Sequence, residues 1–128
     1  VLSGPKDVKL ADEFMSYIKH PVVNLAGKTS VSQLASVLKR SRLFISNDSG
    51  PVHIASALDI PVISIFGRSQ KGLSPKRWGP VGAKNKVLHK DIGCIECLAH
   101  NCIKDFACLK AITVDEVVDA AEEILGIK

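Results

Sequence analysis

Aromatic side chains are scarce in this chain: four phenylalanines, one tyrosine and one tryptophan make up 5% of 128 residues. With no aromatics interleaved among basic residues, there is no stacking stripe for nucleic acid. No apolar run approaches the roughly 18 residues of a membrane-crossing helix. Neither sign of charge dominates, since 17 Lys and Arg against 13 Asp and Glu leave +4. That balance suits an anionic ligand or a membrane surface, and equally an ordinary solvated surface. Low-complexity tracts and internal repeats are also missing, which excludes a solenoid. What is present is ordinary for a globular domain: 46% hydrophobic and 23% charged residues, in a length sufficient for one core.

Apolar periodicity orders the chain as alternating strands and helices. Val1-Leu2-Ser3-Gly4 reads as the tail of a strand, and the chain as a fragment lacking that strand's beginning. Pro5-Lys6-Asp7 opens a helix with an apolar stripe of Val8, Leu10, Ala11, Phe14, Met15 and Ile18. Pro21 ends it. Residues 22–25 predict a short strand, and Gly27 turns the chain. Thr29 or Ser30 then caps a helix that buries Val31, Leu34, Ala35, Val37 and Leu38. Residues 43–45 predict a buried strand, 52–58 a helix, and 61–66 another buried strand ended by Gly67. From 68 to 85 no periodicity appears, and a loop of that length is more often functional than idle. Residues 86–89 predict a last strand. Thr113 and Glu116 form a capping box for a final helix that buries Val114, Val117, Val118, Ala121 and Ile124, with Gly126 as its stop. The alternation implies an α/β fold with a parallel sheet covered on both faces.

The stretch Leu43-Phe44-Ile45-Ser46-Asn47-Asp48-Ser49-Gly50-Pro51-Val52-His53 organises the rest. It places Asp48, Ser49 and Gly50 between a strand's carboxyl end and a helix N-terminus. Ligands of open α/β sheets collect at such junctions, and the free N–H groups and helix dipole there attract anions. Gly50 allows close approach, the Ser49 hydroxyl suits a phosphate oxygen, and the Asp48 carboxylate suits a sugar hydroxyl. The competing reading is simple helix capping by Asp and Ser. His53, one turn into the helix, either donates to a phosphate or is a half-buried histidine bonded to a carbonyl.

This stretch, with Pro61-Val62-Ile63-Ser64-Ile65-Phe66-Gly67 after it, closely resembles the lipopolysaccharide heptosyltransferase family, glycosyltransferase family 9. The run from Asn24 to Val31 with Leu34 and Ala35 is similar to the family's preceding strand and helix. Cys94, Cys97 and Cys108-Leu109, then Ile112-Thr113-Val114, follow its C-terminal pattern. The resemblance implies the GT-B architecture, two Rossmann-like domains facing a cleft. This chain, residues 1–128, would be the C-terminal half, which holds a nucleotide-sugar donor of the ADP-heptose class. It implies donor-binding roles for Asp48 (heptose hydroxyls), Ser49 and Gly50 (diphosphate) and His53 (phosphate charge). Leu25, Gly27 and Thr29 would border nucleobase and ribose, and Asp7 would face the ribose. The acceptor would be a lipid-linked inner-core sugar, the location cytoplasmic with room for attachment at the inner membrane, and no cofactor is implied.

The chain also departs from the family pattern. The family's catalytic aspartate belongs to the N-terminal domain, and the first strand with its basic motif would precede Val1. Arg68-Ser69-Gln70 stands where Pro-Thr-Asp is frequent. Alone, the chain is expected to bind donor weakly and transfer nothing. Rivals are another GT-B nucleotide-sugar enzyme, or a non-enzymatic α/β module. The latter needs an acidic cluster that Asp48 alone does not supply.

All four cysteines fall between positions 94 and 108. Three readings stand: free thiols packed as small hydrophobes, a structural zinc set, or disulfides, which a reducing cytosol disfavours.

Overall fold

In the computed structural model, residues 1–97 and 101–127 are described. The chain divides into two compact units, Val1–Ser36 and Val37–Lys128.

The second unit is built on a parallel three-stranded sheet, β1 (Phe44–Asn47), β2 (Val62–Phe66) and β3 (Lys86–His89), with β2 in the middle. The apolar run of β2 explains its place. Val62, Ile63 and Phe66 have no exposed surface, as befits a central parallel strand covered on each side. Ser64 is equally buried, and its hydroxyl has no hydrogen-bond partner among the described residues. At the strand ends, His89 Nδ1–H donates to Phe66 O at 2.9 Å. Helix α3 (Gly50–Ala57) crosses from β1 to β2 and buries Val52 and Ala55. Leu38, at the end of α2 (Val31–Leu38), is fully buried.

Two short helices, α4 (Pro75–Trp78) and α5 (Ala107–Lys110), precede the long α6 (Val114–Leu125). Helix α4 lies inside the segment expected to be loop. The expected capping box of α6 forms: Glu116 N–H donates to Thr113 Oγ1 at 3.2 Å, and Thr113 N–H donates to Glu116 Oε2 at 2.9 Å. Gly126 closes the helix in the left-handed region. Its buried face differs from expectation. Val114 and Val118 are 78% and 48% exposed, while Ala120 is buried. The face turned inward is therefore Val117, Ala120, Ala121 and Ile124, which keeps i, i+3, i+4, i+7 spacing but is rotated about the axis.

In the first unit, a 3-10 turn (Pro5–Asp7) leads into α1 (Val8–Ser16). The stripe expected on this helix splits in two. Ala11 is buried and Val8, Met15 and Ile18 are half-buried. Leu10 and Phe14, at 66% and 54% exposure, lie outside with Tyr17. The strand expected at 22–25 does not form as a regular element. Only a short parallel pairing is present, in which the Val1 amino group donates to Val23 O, Leu25 N–H to Val1 O and Gly27 N–H to Ser3 O. An Asx turn interrupts it, with Ala26 N–H donating to Asn24 Oδ1 at 3.0 Å. Of the two candidate caps for α2, Ser30 is the one used. It exchanges bonds with Gln33, whose N–H donates to Ser30 Oγ and whose Oε1 accepts from Ser30 N–H.

Candidate functional site at the front of helix α3

The site begins where β1 ends. Asp48 N–H still donates to Ile65 O at 3.0 Å, so the backbone stays in the sheet one residue beyond the strand. Ser49 is extended, with φ −157° and ψ 164°, and Gly50 is the first helical residue. A first helical residue has no intrahelical acceptor for its N–H, and Pro51 has no N–H to offer. The front of α3 is thus a place where an outside acceptor is welcome.

The Ser49 hydroxyl makes no capping bond to the helix. It lies 3.2 Å from Ser46 Oγ instead, and Ser46 in turn donates to Asn47 Oδ1. The Asp48 carboxylate is exposed and has no partner among the described residues. Gly50 has ordinary backbone dihedrals, and a Cβ placed on it would meet nothing within 4 Å. Neither strain nor a neighbour in this chain requires glycine there, so the free space faces outward.

His53 sits one turn into α3 and is exposed. Its ring meets the edge of Trp78, with centroids 6.4 Å apart and planes at 70°. The half-buried carbonyl-bonded alternative is not what forms. Trp78 Nε1–H donates to Gly72 O at 2.9 Å, and the Arg77 guanidinium lies over the Trp78 ring, its Cζ 5.5 Å from the centroid. One turn further along α3, Ser56 Oγ donates to Val81 O at 2.6 Å and accepts from Val81 N–H at 3.0 Å. Asn85 completes the strap, donating to Val81 O and accepting from Val62 N–H. Positions 53 and 56 share one helix face, so the segment 68–85 is tied along the side of α3.

The remaining expected site residues lie in the first unit. Leu25 and Gly27 take part in the short parallel pairing described above. Gly27 has φ +67°, and a Cβ there would come 2.8 Å from Val8 Cγ2 and 3.4 Å from Pro5 Cα. This glycine is therefore required by local packing whatever else it does. Thr29 is half-buried just before the Ser30 cap, and Asp7 is exposed at the end of the 3-10 turn.

The four cysteines are all free thiols, each half-buried, and all line one cavity of about 370 Å³ beside Gly67. Cys108 Sγ donates to Gly67 O at 3.2 Å, and Cys97 N–H donates to Gln70 Oε1 at 3.2 Å. Among the described residues no three His, Cys, Asp or Glu side chains are placed to share a metal ion.

Residues 1–107 match the profile of glycosyltransferase family 9 (heptosyltransferase). The chain belongs to this family. It is 29% identical over 127 residues to lipooligosaccharide heptosyltransferase 2 of Campylobacter jejuni serotype O:2, covering 96% of this chain and 39% of that protein. Over 47 residues it is 49% identical to lipopolysaccharide heptosyltransferase 3 of Escherichia coli K12, or 37% of this chain and 14% of that one. The fold matches the crystal structure of a glycosyl transferase family 9 protein from Veillonella parvula with a TM-score of 0.82 and 27% identity, over 99% of this chain and 36% of the other. It also matches E. coli ADP-heptose lps heptosyltransferase II at a TM-score of 0.78 and 24% identity, covering 97% and 35%. At that identity the second match supports the Rossmann-like α/β fold alone. The family 9 chain spans well under half the length of these relatives.

Sequence reasoning placed the turn at Asp48 but missed Trp78 and Arg77 beside His53, and the tie of Ser56 and Asn85 to Val81 toward the far end of α3. One signal pointed at them: the only tryptophan of the chain lies in its least periodic segment.

Proposed function

We propose that this chain is the donor-binding half of a heptosyltransferase that moves heptose from a nucleotide diphosphate sugar to a lipopolysaccharide acceptor. The reading rests on one observation, the uncovered turn at the front of α3, in a chain of family 9. The relatives named above are heptosyltransferases of lipooligosaccharide and lipopolysaccharide, which supports heptose as the sugar that is moved.

In this reading the donor's diphosphate meets the Gly50 N–H and the Ser49 hydroxyl, and His53 donates to a phosphate oxygen. Asp48 accepts from heptose hydroxyls. Leu25, Gly27 and Thr29 border the base and ribose, with Asp7 toward the ribose. The acceptor hydroxyl attacks the anomeric carbon, the bond from that carbon to the diphosphate oxygen breaks, and the nucleotide diphosphate leaves with the bonding electrons. The hydroxyl proton passes to a base supplied by a part of the protein beyond these 128 residues. Charge on the diphosphate grows as its bond breaks. Donors fixed at the helix front therefore hold the transition state more tightly than the ground state, which lowers the barrier. The acceptor is lipid-linked, so the enzyme would act in the cytoplasm beside the inner membrane. Among the described residues no helix is long and apolar enough to cross a membrane.

The full-length protein tests this directly. Incubated with ADP-heptose and an inner-core lipopolysaccharide acceptor, it should release ADP and add one heptose to the acceptor by mass spectrometry. Turnover with a UDP-sugar and none with ADP-heptose would favour a different GT-B enzyme. Failure to bind any nucleotide sugar would favour a non-enzymatic module.

A further inference from the structure

We propose that Arg77 is an additional cation for the leaving diphosphate, and that Trp78 is the positioning residue that holds both Arg77 and His53 beside it. The inference rests on the donor-site reading above and adds to it two residues from the segment 68–85.

Three observations carry it. First, Trp78 touches both basic groups: His53 meets its edge with centroids 6.4 Å apart, and Arg77 Cζ lies 5.5 Å from the ring centre. A cation over an indole face is attracted by the ring quadrupole and is held in place without being neutralised. Second, the ring itself is fixed. Its Nε1–H is bonded to Gly72 O, and the chain beyond it is tied to α3 through Ser56 and Val81. Third, neither basic group is paired with a carboxylate among the described residues. Arg77 is exposed and makes no ion pair among the described residues, whereas four of the chain's lysines are each paired with a carboxylate.

A guanidinium held this way keeps its hydrogen-bonding edge for an oxyanion, and its fork fits phosphate oxygens in pairs. The ligand class follows from the place. His53 belongs to the first turn of α3, whose free N–H already favours an anion. A cation held on the same indole as the hydrogen-bonding His53 fits a group with several anionic oxygens, such as a diphosphate. It has no use for an uncharged sugar or nucleoside.

The test uses the full-length protein and compares ADP with adenosine by calorimetry, together with donor kcat and KM. Arg77→Gln should weaken ADP roughly tenfold or more, as loss of one charge-assisted contact implies, and leave adenosine within about twofold. Arg77→Lys should recover only part of the loss, because a point charge does not replace the fork. Trp78→Ala should weaken ADP and lower kcat, and Trp78→Phe, which keeps an aromatic edge for His53, should restore much of both. Ser49→Ala and His53→Ala serve as references. If these two weaken ADP while Arg77→Gln does not, the inference about Arg77 is wrong and the donor-site reading stands. If none of the four positions affects ADP, the diphosphate is not bound here and both fail. Equal weakening of ADP and adenosine by Arg77→Gln would show a merely structural role and would also overturn the proposal.

Discussion

The hydroxyls of Ser49 and Ser46 lie 3.2 Å apart, so the residue that begins helix α3 turns its side chain toward β1 and not onto the helix. A serine that caps a helix contributes about 1 kcal/mol of stability. Here that bond is absent, and Ser49→Ala should change the unfolding free energy by less than about 0.5 kcal/mol. Donor affinity should fall, because the hydroxyl, bonded only to Ser46 and not to the helix, can turn to meet a phosphate. Urea unfolding and donor KM of the same variant check both halves. A full capping loss with unchanged KM would identify Ser49 as a structural residue.

Two glycines should respond in opposite ways. Gly50→Ala puts a methyl group into open space at ordinary dihedrals, so folding should be preserved while the added carbon obstructs a ligand that approaches the backbone. Gly27→Ala meets Val8 Cγ2 at 2.8 Å in the left-handed region. It should destabilise the protein by more than about 1 kcal/mol. Thermal melts of the two variants, with ADP binding measured on each, separate the cases.

Glu116 gives the stability a defined acid limb. Its carboxyl is held below the ordinary glutamate value of 4.5, first by Lys90 and then by the Thr113 backbone N–H. A carboxyl whose pKa is depressed by folding stabilises above its unfolded value and loses that contribution as pH falls through the depressed one. Melting temperature should therefore decline as pH drops below about 4.5, and Glu116→Gln should flatten that decline. Identical acid limbs in the two proteins would contradict the assignment.

The cysteine cavity makes a chemical prediction. With four free, half-buried thiols, protein purified anaerobically without chelator should alkylate at all four positions once denatured and should carry no stoichiometric zinc. One equivalent of zinc by elemental analysis, lost together with stability on chelation, would reverse this.

Much of the architecture could be read from residue patterns, and the limits have physical causes. The run from Val62 to Phe66 announced a buried strand because a parallel strand covered on both faces is apolar throughout, whereas the strand at 43–45, read as central, lies at one side of the three with Ile45 45% exposed. Thr113 and Glu116 announced a helix start because the capping box is local. Which face of a helix is buried is a tertiary matter. Helices α1, α2 and α6 carry apolar residues on more than one side, so Leu10, Phe14, Val31, Val114 and Val118 were assigned inward and lie outside. The pairing at 23–27 is too brief, and too soon broken by the Asn24 turn, to become a strand. The neighbourhood of His53 was illegible for another reason. Trp78 and Ser56 meet their partners through loop geometry, and aperiodic segments carry no repeat from which to infer it.

A crystal structure of the full-length protein with ADP bound decides whether the front of α3 is the donor site. The diphosphate should lie within hydrogen-bonding distance of the Gly50 N–H and the Ser49 hydroxyl, with His53 donating to one of its oxygens. A diphosphate bound elsewhere, with residues 48–53 untouched, would contradict it.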